Sequence, residues 1–455
     1  MGRWKILGKW KILAATMALA AAVIATTPSL PVFARELQPL ATAAPEQVGM
    51  SAERLGRITT VLKKEIADGK LPGAVVMVAR KGRIVYSDAI GFQDKGANTP
   101  MTPDAIFRIY SMTKPLASVA AMTLVEDGVI QLTDPIAKFL PAFKDMQVSV
   151  ASTGADGKAT YTNVPAGRPI IVQDLLRHSA GLAYAEITKN EPVKAAYVAA
   201  KFSQPGVHEY DSRGMTPAEQ VERIAKAPLI HQPGTVWEYS MAVDILGRVV
   251  EAASGKRLAV VLDERLFKPL KMVDSSFWLP ASKMPRLVQP LPVDPASGQK
   301  VSVLDVSAEP MNDSGGAGAL STAMDYLRFG QMLLNGGELE GARILSPKTV
   351  ALMTSNHLGT MYANGNFGFG LGFEITEHVG RSGRPGSVGE FGWGGAYGTK
   401  YWVDPEEKLV VVYMTQLMPQ TGVDVADRLR ALLYGSIEVP GAKVGRMKLS
   451  VAEAK

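Results

Sequence analysis

The chain of 455 residues contains no cysteine. Thiol nucleophiles, disulfide bonds and zinc sites with cysteine ligands are therefore excluded, and stability has to come from the packed core. Histidine is also scarce, and no two histidines are four residues apart: they are His178, His208, His231, His357 and His378. Because histidines at i and i+4 on one helix are a common sign of a metal site, we expect no metal and no other cofactor.

Three widespread motifs are missing as well. No G-x-G-x-x-G follows a predicted strand and no G-K-[ST] occurs, which excludes dinucleotide-binding and P-loop folds. No G-x-S-x-G occurs either, which excludes the nucleophile elbow of α/β-hydrolases. The chain also lacks blocks of basic residues with interleaved aromatics, so we expect no nucleic-acid partner.

The N-terminal segment has the features of a secretory signal peptide. Basic residues at positions 3, 5, 9 and 11 precede an apolar run at 12–24, and small residues before Arg35 predict cleavage after Ala34. We therefore interpret 1–34 as a signal peptide and the mature protein as exported, periplasmic or secreted. No later apolar run reaches membrane length, so no stable membrane insertion is expected after cleavage. A retained anchor is the alternative, and the N-terminal sequence of the exported form distinguishes the two.

The basic character of the chain belongs mostly to this segment. Four of the 49 basic residues and none of the 43 acidic residues lie in it, so its removal lowers the net charge from +6 to +2. The mature protein is therefore expected to carry almost no net charge.

Hydrophobic periodicity predicts strands near both ends of the mature chain and helices between them. A hairpin is predicted at 73–87 and another at 397–414, with a final helix at 423–433. Four further helices are predicted at 172–177, 217–227, 241–253 and 258–266, with no alternating run among them. We therefore expect an α+β fold, in which both chain ends build one antiparallel sheet flanked by helices and a mainly helical region is inserted.

The same pattern predicts the domain boundaries. Residues 35–131 and 311–455 form the α/β sheet domain, and residues 132–310 form the mainly helical domain. Because ligand sites often lie where domains meet, the active site is expected in the cleft between them.

Residues 111–114, Ser-Met-Thr-Lys, place a serine and a lysine one helical turn apart. A lysine can take the serine proton or stabilise the alkoxide, and Ser-Lys pairs are a known variant of the catalytic triad. The pattern recurs at 297–300, but in a stretch rich in proline and glycine that is typical of a surface loop. Ser111 instead starts an apolar helix, whose N-terminus favours an alkoxide. Ser111 is therefore the candidate nucleophile and Lys114 its activator.

Tyr239 is the candidate proton carrier. It lies in a loop after Pro233-Gly234 and just before a predicted helix. A lysine ammonium beside a tyrosine hydroxyl stabilises the phenolate, which lets the tyrosine move protons. A tyrosine that only packs at a helix start is the alternative.

The segment 391–398 is rich in glycine and leads into the last hairpin. Glycines within a strand often mark a place where a ligand or another backbone comes close. Backbone N–H groups there could form an oxyanion hole with the N–H of Ser111. The candidate substrate-binding residues are Trp393, Gly394, Gly395 and Ala396, and a glycine-rich bulge without function is the alternative.

These three elements, in this order and spacing, resemble the serine β-lactamase and penicillin-binding-protein superfamily, specifically its class C β-lactamase-like branch. Residues 111–114 match the first motif, 239–241 match the position of the Tyr-x-Asn motif, and 393–395 match that of the Lys-Thr-Gly motif. The resemblance covers nearly the whole mature chain, including 175–182 and 315–322. It implies a β-lactamase/transpeptidase-like fold.

Two departures from these motifs bear on the substrate. Met241 stands where β-lactamases of this branch have asparagine, and Trp393 stands where they have lysine. Loss of a cationic donor lowers affinity for an anionic substrate, whereas tryptophan offers an apolar wall. The chain therefore most closely resembles the family VIII carboxylesterases, which implies a serine hydrolase for neutral, fairly hydrophobic carboxylic esters.

The implied mechanism is acyl transfer through an acyl-enzyme on Ser111. Lys114 and Tyr239 together accept the serine proton, and the N–H groups of Ser111 and Ala396 hold the oxyanion. The expected partner is a small-molecule ester or amide. Alternatives within the same fold are a β-lactamase, a D-amino-acid peptidase and a linear amide-oligomer hydrolase. A non-catalytic module that binds cell-wall peptides and a membrane-tethered structural protein are further alternatives.

Overall fold

The computed structural model describes residues 40–154, 156–204, 207–294, 298–418 and 425–439. The predicted signal peptide, Ser297 and the first two residues of the predicted final helix lie outside these ranges. In chain order the strands are β1 (Gly73–Arg80), β2 (Arg83–Asp94), β3 (Thr99–Pro100), β4 (Phe107–Arg108), β5 (Gln147–Thr153), β6 (Ala159–Pro165), β7 (Leu320–Ser321), β8 (Glu338–Leu339), β9 (Ala342–Arg343), β10 (Phe367–Phe369), β11 (Glu374–Thr376), β12 (Phe391–Gly394), β13 (Lys400–Asp404) and β14 (Leu409–Thr415). The α-helices are α1 (Ala52–Ala67), α2 (Thr113–Glu126), α3 (Val172–Leu176), α4 (Glu191–Ala199), α5 (Pro217–Ala225), α6 (Ala242–Ser254), α7 (Leu258–Leu262), α8 (Ala323–Leu334), α9 (Pro347–Met353), α10 (Val379–Ser382) and α11 (Val425–Tyr434).

Within the described residues, eight strands form an antiparallel sheet in the order β10-β11-β12-β13-β14-β1-β2-β3. The two chain ends meet near its centre, where β1 pairs with β14 from Ala74 opposite Thr415 to Arg80 opposite Leu409. Lys81 and Gly82 join β1 to β2 with φ values of 52° and 75°. Two consecutive positive φ angles are typical of the type I′ turn, whose twist matches that of the strands. The predicted sheet built from both chain ends is confirmed.

Both faces of the sheet are covered by helices. Side chains of β1 alternate between two cores, because successive residues of a strand point to opposite faces. Val76 and Val78 pack in the core to which α1 and α11 contribute. Val75 and Met77 pack in the larger core, to which α8 contributes Tyr326. No described helix is long and apolar enough to cross a membrane.

The middle of the chain departs from the predictions in two places. β5 and β6 form a hairpin where the pattern predicts no strand; most of its side chains are exposed, so the alternation that marks a strand is missing. α4 is the second unpredicted element. The four predicted helices are present as α3, α5, α6 and α7 with slightly different ends, and α7 continues as a π-helical turn at Asp263–Phe267. The separate helical domain at 132–310 stays a prediction.

Candidate active site

Ser111 lies in a single 3₁₀ turn, Tyr110–Met112, that runs directly into α2. Tyr110 has a φ of 44°, which is rare for a residue with a side chain. Its buried ring stacks on Tyr397 at 4.3 Å and meets Tyr210 edge-on at 5.6 Å. This packing holds the unfavourable backbone conformation of Tyr110 in place. The next residue, Ser111, lies at the wall of a cavity.

Lys114 follows one helical turn later and is buried. Its Nζ lies 3.3 Å from Ser111 Oγ, as the i, i+3 spacing on a helix predicts. The same Nζ donates to the carbonyl oxygen of Gly316 at 2.9 Å and lies 3.4 Å from Tyr184 Oη. The structure thus brings together the predicted serine and lysine, and the lysine is held from its buried side.

Tyr239 completes a three-residue cluster around the serine hydroxyl. Its Oη lies 2.7 Å from Ser111 Oγ, and Lys114 Nζ lies 4.6 Å from the centre of its ring. The ring packs against His178 at 5.0 Å and Trp393 at 5.7 Å between centroids. Burial lowers the pKa of His178 well below its ordinary value, and the charge of Lys114 acts in the same direction. The imidazole is therefore neutral and supports Tyr239 by packing.

The glycine-rich end of β12 lies against the backbone that precedes Ser111. A Cβ at Gly395 would lie 2.4 Å from the carbonyl oxygen of Ile109 and 2.2 Å from Thr399 Oγ1, so only glycine fits. The N–H of Gly395 donates to the carbonyl oxygen of Thr399 at 2.8 Å. Trp393 is partly exposed and meets Phe369 edge-on at 5.3 Å.

A cavity of about 410 Å³ joins these elements. Every predicted site residue except Lys114 lines this cavity. These residues are Ser111, Tyr239, Trp393, Gly394, Gly395 and Ala396. Six charged side chains that the sequence pattern did not single out also line it: Glu374, Arg384, Glu390, Lys400, Asp427 and Arg430. They meet only through strand pairing and helix packing, which the sequence pattern does not specify.

Met241 does not line this cavity. Its side chain is fully buried at the start of α6, where its sulfur lies 3.8 Å from Tyr197 Oη. Position 241 therefore contributes no side-chain group to the cavity. Trp393, in contrast, forms part of the cavity wall.

Asp244, near the start of α6, is a buried carboxylate behind Lys114 that the sequence pattern did not single out. Its Oδ1 accepts hydrogen bonds from Ser314 Oγ at 2.5 Å and from the N–H of Gly316 at 3.1 Å. A Cβ at Gly316 would lie 2.1 Å from Asp244 Oδ2, so this contact requires glycine. Burial raises the pKa of the Asp244 carboxyl, and the charge of Lys114 opposes that rise. Asp244 thus positions the Gly316 carbonyl group that holds Lys114.

The family model, the similar sequences and the solved structures were each compared with this chain, and they agree with one another. The Beta-lactamase family model matches residues 34–436. Protein Rv1367c of Mycobacterium tuberculosis is 35% identical over 378 residues, which cover 80% of this chain and 90% of the relative. Esterase EstB of Burkholderia gladioli is 30% identical over 392 residues, which cover 80% and 91%. The solved structure of EstCE1, a hydrolase with promiscuous acyltransferase activity, is 27% identical with a TM-score of 0.66 and covers 84% of this chain and 99% of that one. The match to the family model includes every residue of the candidate site.

Proposed function

The chain belongs to the beta-lactamase family and is a serine hydrolase, and on that premise we propose that it cleaves carboxylic esters through an acyl-enzyme on Ser111. One observation carries this proposal: Ser111 Oγ lies within hydrogen-bonding distance of both Tyr239 Oη and Lys114 Nζ at the wall of a cavity. The names of two similar proteins, Esterase EstB and the hydrolase EstCE1, support an ester as the substrate. Export directed by segment 1–34 is part of the same proposal.

In the acylation step, Ser111 Oγ attacks the ester carbonyl carbon and its proton passes to Tyr239. The shorter distance to Ser111 favours Tyr239 as the direct acceptor, with the Lys114 ammonium stabilising the phenolate. The N–H groups of Ser111 and Ala396 hold the oxyanion. When the bond to the leaving oxygen breaks, Tyr239 returns the proton and the alcohol departs.

Deacylation uses the same groups in reverse. Water attacks the acyl carbonyl carbon and gives its proton to Tyr239. Collapse of the second tetrahedral intermediate breaks the bond to Ser111 Oγ, which takes the proton back from Tyr239. The carboxylic acid leaves and the free enzyme is restored.

The cavity favours esters over β-lactams. Position 241 supplies no amide donor, and position 393 supplies an apolar ring instead of an ammonium group. A hydrogen bond between neutral groups contributes about 0.5–1.5 kcal/mol and one to a charged group about 1.5–3 kcal/mol, so the two losses together weaken lactam recognition by at least about 30-fold.

A direct comparison of substrates tests this proposal. We expect the purified mature protein to hydrolyse p-nitrophenyl butyrate with a kcat/KM at least about 30-fold above that for nitrocefin. Faster turnover of nitrocefin would contradict the argument from Met241 and Trp393. Failure to cleave either substrate would favour an amide-oligomer hydrolase or a peptide-binding module.

Asp244→Asn tests the support behind Lys114. Asparagine keeps an acceptor for Ser314 and Gly316 but removes the negative charge, so we expect kcat/KM for p-nitrophenyl butyrate to fall by about 10- to 100-fold. Because burial raises the pKa of Asp244, the fold disfavours its carboxylate and the free energy of unfolding at pH 7 should not fall. Ester kinetics and thermal unfolding measure the two effects. A wild-type rate would show that the negative charge of Asp244 does not support Lys114.

A further inference from the structure

A lysine on the strand next to the glycine segment stands in the same cavity as Ser111. β12 and β13 pair with Gly394 opposite Lys400 and Trp393 opposite Tyr401. Directly opposite residues point to the same face of a sheet, and successive residues point to opposite faces. Lys400 and Trp393 therefore leave the sheet on opposite faces, and both line the cavity.

The stem of Lys400 packs against Gly394. A Cβ at Gly394 would lie 3.4 Å from Lys400 Cγ and 3.6 Å from its Cε, which is ordinary contact distance, so the lysine stem lies alongside this glycine. β11 pairs with β12 only at Phe391 and Gly392. The cavity can therefore continue around the remaining part of β12, from Ser111 on one face to Lys400 on the other.

The other charges of the cavity are already engaged. Arg430 contacts both carboxylate oxygens of Glu390 at 2.6 and 2.7 Å. Arg384 lies 3.4 Å from Asp427 and 3.9 Å from Glu374.

Lys400 differs from these residues. Among the described residues, no carboxylate oxygen lies within 4.0 Å of its Nζ and no side-chain hydrogen bond reaches it. Burial lowers the pKa of Lys400 and the positive charge of Arg384 acts in the same direction, whereas the more distant carboxylates of Asp427 and Glu374 oppose the shift. Lys400 is partly exposed and lines the cavity, so its ammonium group is open to an anion that enters there.

We propose that Lys400 forms an anion subsite and that the preferred substrates are esters carrying a carboxylate remote from the scissile carbonyl group. This inference rests on the proposed esterase function and narrows its substrate class. Trp393 contacts the neutral part of the ester near Ser111, and Lys400 binds the charged end.

The test compares charged and neutral esters of similar length. One pair, monomethyl adipate and dimethyl adipate, places the carboxylate on the acyl side. The other pair, 4-acetoxybutyrate and its methyl ester, places it on the alcohol side. The variants are Lys400→Met, Lys400→Arg as the charge-conserving change, and Lys63→Met as a control at an exposed lysine of α1 that does not line the cavity.

In at least one pair, we expect Lys400→Met to lower kcat/KM for the charged ester by about 10- to 100-fold and that for its neutral partner by less than about twofold. Lys400→Arg should retain most of the preference, and Lys63→Met should behave as wild type. Equal effects on charged and neutral esters in both pairs would overturn the subsite while leaving the esterase function intact. If the wild-type protein cleaves no ester at all, including p-nitrophenyl butyrate, the proposed function and the subsite both fail.

Discussion

Replacing Ser111 with alanine is expected to lower p-nitrophenyl butyrate hydrolysis by about 10⁴- to 10⁶-fold. The reason is chemical: alanine has no oxygen to form the acyl-enzyme, and Lys114 and Tyr239 have no proton to accept. Their contacts with each other do not depend on the serine hydroxyl, because Lys114 Nζ lies over the Tyr239 ring and is held by Gly316. Thermal unfolding should therefore change little.

Ser297→Ala is the matched control, because Ser297 is the other serine with a lysine three residues later. It should retain the wild-type rate. Mass spectrometry after rapid quenching should detect a butyryl adduct on the wild-type protein and on Ser297→Ala, but not on Ser111→Ala. Loss of activity in Ser297→Ala with retention in Ser111→Ala would reverse the assignment of the nucleophile.

The sequence predicts best those site residues that lie close together along the chain. Ser111 and Lys114 share one helical turn, so their spacing alone places the two side chains together. Tyr239 was found through its place among the three motifs, and its 2.7 Å approach to Ser111 depends on packing between distant segments. The positive φ of Tyr110 has no sequence signal, because the tyrosine rings that hold it, one stacked and one edge-on, come from distant parts of the chain.

Long-range pairing accounts for most of what the sequence pattern missed. Lys400 falls inside a predicted strand, yet its position beside Gly394 depends on the register between β12 and β13. Met241 falls at the position of a motif residue, yet its side chain turns into the core. The β5–β6 hairpin is hidden for a different reason, because few of its side chains are buried. The sheet itself was predictable, since its central strands are long and apolar on both faces.

Lys114→Met is expected to have the second-largest effect, a fall of about 10³-fold in kcat/KM for p-nitrophenyl butyrate. Methionine fills a similar volume but removes the charge that stabilises the Tyr239 phenolate and the serine alkoxide. Tyr239→Phe, which removes the hydroxyl 2.7 Å from Ser111 Oγ, should lower the rate by a similar factor. If lysine and tyrosine act as one unit, the double variant should be no more than about tenfold slower than either single variant. If the rate loss of the double variant equals the product of the two single losses, the lysine and the tyrosine act independently.

The pH dependence of stability gives Lys114→Met a second readout. Burial holds the pKa of Asp244 above its ordinary value of 3.8, so the folded protein binds this proton more tightly than the unfolded chain does. The contribution of Asp244 to stability therefore declines as pH rises from the unfolded pKa toward the folded one. The charge of Lys114 opposes this shift, so its removal should deepen the decline. We expect Lys114→Met to lose more stability than the wild-type protein between pH 4 and pH 8, and Asp244→Asn in the same chain to restore the difference. A double variant that keeps the full loss would mean that Lys114 stabilises the fold through contacts other than its charge on Asp244.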